Sequence, residues 1–180
     1  MTGARISFKL EDKAFAADVA KLGGVMRSGM LRAIGTALVE QTNRRFDSAT
    51  EPFGQKWQAL LPAYAMIKKG PGLLRESGAL QKSITFSSAG TRITVGSNRV
   101  YAAVHQFGAT IKSKNGKGLA FVLGFTGPAG KRGGKSKTLY HLVQVQSVRI
   151  PARPYLGFGP KDQRAVLEVV AGEVQRVFGS

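Results

Sequence analysis

The chain has 180 residues, an apolar share of 43%, no cysteine, and 27 Lys or Arg against 10 Asp or Glu, for a formal charge of +17. That length suits a single domain over residues 1–180, the apolar content excludes wholesale disorder, and the missing thiols exclude disulfides and thiolate metal sites. No apolar run approaches the roughly 20 residues that span a bilayer, and Arg5, Lys9, Glu11 and Asp12 stand where a signal peptide needs an apolar core, so a soluble protein with no membrane partner is expected.

In chain order, Ile6, Phe8 and Leu10 alternate with Ser7 and Lys9, the period of a short strand or arm. Asp12 opens a helix. Its apolar face, Phe15, Val19 and Leu22, lasts until Gly23-Gly24 interrupts the pattern. A second, longer helix carries the stripe Met30, Leu31, Ile34, Leu38, Val39 and Phe46, with Ser28 placed to cap it and Glu40, Asn43, Arg44 and Arg45 expected on the outer side.

Turn residues from Asp47 to Gly54 precede Trp57, whose large apolar surface suits a core anchor beside Leu60 and Leu61 better than a platform for a base. Tyr64 to Gly72 read as a short helix and a basic loop. Leu80 and Ile84 then share one helical face, and Thr85 to Ser88 can pair with Arg92 to Val95 through a turn at Ala89-Gly90.

From Ile93 to Gly108 the apolar period changes from two to nearly four. Ile93 and Val95 alternate with Thr94, Gly96-Ser97-Asn98 is turn chemistry, and Val100, Val104 and Phe107 recur at helical spacing with Tyr101 beside them. A two-turn helix is expected, with those apolar residues on its buried face and Gly108 ending it. His105 and Gln106 sit inside this cluster. A general base or metal ligand would need partners, yet His141 is the one other histidine and no carboxylate lies between Glu76 and Asp162. Packing or an interface is therefore the reading for both residues.

Beyond Gly108, an excursion over residues 111–150 reads as two strands, Leu119 to Phe125 and Leu139 to Ile150, flanking a tip in which Lys131, Arg132, Lys135 and Lys137 stand among glycines. This long basic β-hairpin has a tip that cannot bury itself, so a partner is expected to order it. Gly134-Lys135-Ser136 lacks the spacing and the strand-to-helix setting of a phosphate loop. Two prolines then force extended backbone through Ile150 to Gly157 and place Arg153 and Tyr155 on defined sides. Asp162 is positioned to cap a last helix with the apolar face Val166, Val169, Val170, Val174, Val177 and Phe178. From Ser77 to Lys161 there are thirteen Lys or Arg and no Asp or Glu, a surface suited to phosphate or to an acidic protein, and the sequence leaves both open.

Four landmarks stand in order: Arg45-Phe46-Asp47 with Pro52-Phe53-Gly54 and Trp57; Ser77-Gly78-Ala79-Leu80 within Leu74 to Ser83; Val95-Gly96-Ser97 with Tyr101-Ala102 and His105-Gln106-Phe107-Gly108; and Ile150-Pro151-Ala152-Arg153-Pro154-Tyr155-Leu156-Gly157. As an ordered set covering residues 12–178, they resemble the virion morphogenesis family of tailed bacteriophages of the Mu type. The stretch from Ile111 to Val148 departs from that pattern in its longer Gly-rich basic tip. The resemblance implies an α+β fold with helices on a small antiparallel sheet, similar to tail-completion or tail-terminator proteins. It implies a structural protein of the virion, without catalysis or cofactor, at the neck or the head-proximal end of the tail and in the host cytoplasm during assembly. Its partners would be copies of itself in a hexameric ring, the neighbouring tail tube and the neck or connector proteins, with packaged DNA as a further candidate. On this reading Tyr101, His105, Gln106, Arg153 and Tyr155 are the expected subunit or ring interface, and Lys131, Arg132, Lys135 and Lys137 the expected docking or polyanion contacts. The alternative is a basic nucleic-acid-binding protein. An enzyme is disfavoured by the residues themselves, which offer no carboxylate pair, no nucleophile with a base beside it and no metal-ligand cluster.

Overall fold

The computed structural model describes residues 4–9, 24–90, 92–114, 117–126 and 138–178. In chain order the elements are β1 (Ala4–Lys9), α1 (Gly24–Ser48), α2 (Pro62–Ala65), α3 (Ala79–Lys82), β2 (Ile84–Ala89), β3 (Arg92–Ser97), α4 (Ala102–Phe107), β4 (Ala109–Lys112), β5 (Leu119–Thr126), β6 (Thr138–Val145), β7 (Ser147–Ile150) and α5 (Pro160–Phe178). The α+β class expected from the sequence is what the chain adopts.

β1, β3 and β2 form an antiparallel sheet in that order, with Phe8 opposite Ile93 and Phe86 opposite Val95. The hairpin of β2 and β3 is the pairing that the Ala89-Gly90 turn announced. Helix α1 lies against β2 and β3 and also against α5, so it is the layer that the sheet and the last helix share. Its stripe Met30, Leu31, Ile34, Leu38 and Phe46 is buried, joined by Leu80, Ile84, Ile93 and Val95 from the sheet side. Val166, Val169 and Val170 of α5 pack on this core, whereas Val174 is exposed.

Several expectations are corrected. Helix α1 begins at Gly24, so Ser28 lies inside it rather than at its cap. The helix penalty of about 1 kcal/mol for a glycine is small beside the burial of the stripe that follows. Trp57 is buried, but its neighbours are Phe46, edge-on at 5.7 Å, and the carbonyl of Pro154, which takes its indole N–H at 2.9 Å; Leu61 points to solvent. The expected strand from Leu139 to Ile150 is two strands. It breaks at Gln146, whose carbonyl accepts from Ser113 N, and β7 then pairs with β4 while β6 pairs with β5. The expected helix from Asp12 through Phe15, Val19 and Leu22, and the tip with Lys131, Arg132, Lys135 and Lys137, lie outside the described residues.

Ala49 ends α1 with a positive φ of 51°, held there because Thr50 N–H reaches back to Arg45 O and Ala49 O accepts from Trp57 N–H. A left-handed backbone crowds Cβ against the following carbonyl. Ala49→Gly should therefore raise stability by about 0.5 to 1 kcal/mol, read as a higher denaturant midpoint with unchanged slope.

Candidate functional site

Residues 151–159 form an extended strap without helix or strand, and the landmark residues converge on it. On one side stands α4. Gln106 is buried there, its Oε1 accepting from the backbone N–H groups of Tyr155 at 3.0 Å and Leu156 at 2.9 Å, while its Nε2 donates to Leu156 O at 2.9 Å. Tyr155 returns its hydroxyl to Ala102 O at 3.0 Å, and Arg153 N–H bonds His105 O at 2.8 Å. A strap without regular structure must find partners for its backbone elsewhere, and a single carboxamide supplies three.

On the other side stand α1 and the Trp57 segment. Arg45 donates to Tyr155 O at 2.9 Å and to Gly157 O at 3.3 Å, and ion-pairs with Asp162 across a buried contact. Asp162 Oδ2 also accepts Gly159 N–H at 2.7 Å, so the carboxylate caps α5 from within its first turn while neutralising Arg45. The Arg153 side chain donates to the carbonyls of Gln58 and Ala59. The strap glycines matter sterically. A Cβ on Gly159 would fall 2.0 Å from Pro52 O, and one on Gly157 would fall 2.3 Å from the Pro52 ring, so the 50–54 turn docks only on a bare backbone.

This geometry sorts the five expected interface residues. Gln106, Arg153 and Tyr155 are buried within their own chain and bonded to it, so any part they take in an interface is through the shape they hold. Tyr101 is partly exposed and His105 half-buried, their rings edge-to-face at 5.9 Å. Helix α4 faces the core with Ala102 and Gln106, while its Val104 is half-buried and its Phe107, like Val100 just before the helix, is open to solvent. Val100 and Phe107 are 71% and 67% exposed. Gly108 ends the helix with φ of 73°, as its position suggested. Arg45 is the residue that periodicity misplaced: it was expected outside, yet its spacing of seven from Leu38 and three from Thr42 puts it on the buried stripe.

Burial first, and the Arg153 charge second, hold the His105 pKa below its ordinary value. The unfolded chain therefore takes up the proton before the folded one does as pH falls. Stability is complete above the unfolded value of about 6.5 and declines as pH drops below it towards the folded value. His105→Gln should flatten that decline, measured as urea midpoints from neutral to mildly acidic pH. Burial likewise raises the Tyr155 phenol well above its usual range, with Tyr101 a smaller cause.

What this arrangement can do is hold a shape. The clamped strap fixes α4 so that Val100, Tyr101 and Phe107 face outward from a rigid support. It fixes the 50–54 turn so that Phe53, 73% exposed, stands at a groove lined by Arg44, Glu51, Lys161, Arg164 and Glu168. Residues 11–175 match the model of the phage virion morphogenesis family. The chain is 24% identical over 161 residues to a putative capsid assembly protein G of Escherichia phage Mu, covering 86% of this chain and 84% of that protein. No solved structure matches it.

Proposed function

The chain belongs to the phage virion morphogenesis family, and from that premise we propose that it is a ring-forming structural protein that completes the tail or joins it to the head. The ring would sit at the neck or the head-proximal end of the tail, and the protein's work there is contact rather than catalysis. The observation that carries this reading is the clamp. Buried polar side chains that could serve a reaction are instead bonded to the strap, and Val100 and Tyr101 just before α4 and Phe107 at its end are displayed to solvent. The similarity to the putative capsid assembly protein G of Escherichia phage Mu points the same way.

A reconstruction of the intact particle tests the reading. The expected density is a closed, hexameric ring on the tail axis, since heterologous contacts close only when their rotation matches. A single copy, or an isologous dimer away from the axis, overturns it. At the residue level, Phe107→Ala should change stability by less than about 1 kcal/mol, because so exposed a ring loses little on truncation. The same variant should lower the yield of infectious particles, and an unchanged yield removes the α4 face from the interface.

Nucleic-acid binding is the second reading, favoured by one feature of the β4–β7 ribbon. Thr110 lies opposite Arg149 and Lys112 opposite Ser147, so both cations share one polar, exposed face. DNA affinity that falls steeply with salt, in a protein that forms no ring, would support that reading.

A further inference from the structure

The ribbon of β5 and β6 is apolar on both faces. Register places Val122 opposite Leu142 and Ala120 opposite Gln144 on one face, and Leu119 opposite Val145 and Phe121 opposite Val143 on the other. The second face is the more covered, with Leu119, Val143 and Val145 half-buried, and α2 lies beside β5. The first is open: Leu142 is 74% exposed and Val122 48%. A strand whose apolar residues run without alternation, as Leu119 to Leu123 do, belongs in a sheet buried on both sides. Two strands alone are marginal in water, and among the described residues no third strand joins them.

Charge says what covers the open face. The exposed bases Lys112, Lys114 and Lys117 precede β5 and Arg149 follows β6, and none of them has an ion-pair partner among the described residues. The four ion pairs of the described residues all lie on residues 40–75 and 162–176. A second copy of this chain would bring a charge of +17 against the same basic region. A phosphate backbone would satisfy the lysines but leave Val122 and Leu142 against water or charge. An acidic protein satisfies both.

The geometry points to the Val122–Leu142 face of the β5–β6 ribbon as the docking surface for a different, acidic virion protein, which lays apolar side chains over this pair and sets carboxylates against the flanking lysines. This rests on the reading that the chain is a particle component, and it adds the partner's chemistry and the place where it binds.

The chain has no cysteine, so a single Leu142→Cys variant reports on one position. In the free protein a maleimide should label it fully; in purified particles labelling should fall at least tenfold. Carbodiimide, which couples lysine amines to carboxylates directly, should then join Lys114 or Lys117 to an Asp or Glu of another virion protein, identified by mass spectrometry of the joined peptides. Leu142→Asp, a change at an exposed site, should leave the thermal melt in place and abolish that coupling. Undiminished labelling in particles, coupling of these lysines to a second copy only, or labelling restored by nuclease each overturns the inference while leaving the ring reading intact. Absence of the protein from purified particles overturns both.

Discussion

Asp162→Ala should lower stability by about 3 to 5 kcal/mol, the cost of leaving a buried guanidinium without its counter-charge. Arg45 and Asp162 have side chains only 7% and 1% exposed, so water cannot take over the role of the missing carboxylate. Burial alone already pushes the Arg45 pKa down, with Asp162 opposing that shift. The variant also removes the acceptor for Gly159 N–H, so the first turn of α5 loses its cap. In a chain of this size the loss corresponds to a fall in Tm of roughly 10 °C. The exposed pair Arg44–Glu40 is the control: Arg44→Ala should stay within about 0.5 kcal/mol of the parent. An Asp162→Ala variant as stable as that control would show that the strap does not depend on this pair.

Gln106→Leu has the second large effect, about 3 kcal/mol or more, even though it keeps nearly the same volume. The new side chain leaves the N–H groups of Tyr155 and Leu156 and one carbonyl lone pair of Leu156 unpaired in a buried place, at about 1 to 3 kcal/mol for each stripped group. Amide hydrogen exchange gives the local readout. Tyr155 and Leu156 should lose protection in the variant by far more than Val95 in the sheet does, and equal losses at all three would mean that the variant merely unfolds more readily as a whole. Because α4 is anchored to the strap through this residue, Gln106→Leu should also reduce ring formation, with Phe107 untouched.

Local pattern was sufficient for the sheet hairpin, for the core stripe of α1, for the buried Trp57 and for the helix over residues 160–178. Trp57 follows from the size of its apolar surface, and the others rest on a repeat that a few neighbouring residues declare, period two for β2 and β3 and close to four for α1 and α5. The landmark residues and the family they indicate were likewise legible as a linear order of motifs, and residues 11–175 carry that family's pattern. What the order could not say is why those residues recur together.

Only the tertiary structure decided that. Arg45, Gln106 and Asp162 are spread over more than a hundred positions, and each looks like a surface residue by its own chemistry. They are buried because the strap of residues 151–159, whose prolines and glycines forbid regular structure, needs donors and acceptors from outside itself, and α1, α4 and α5 bring them. The same constraint turned α4 over. Periodicity weighs apolar against polar and so predicted Val100 and Phe107 inside; the unpaired amides of Tyr155 and Leu156 outweighed them and drew Gln106 in, leaving those two apolar side chains exposed.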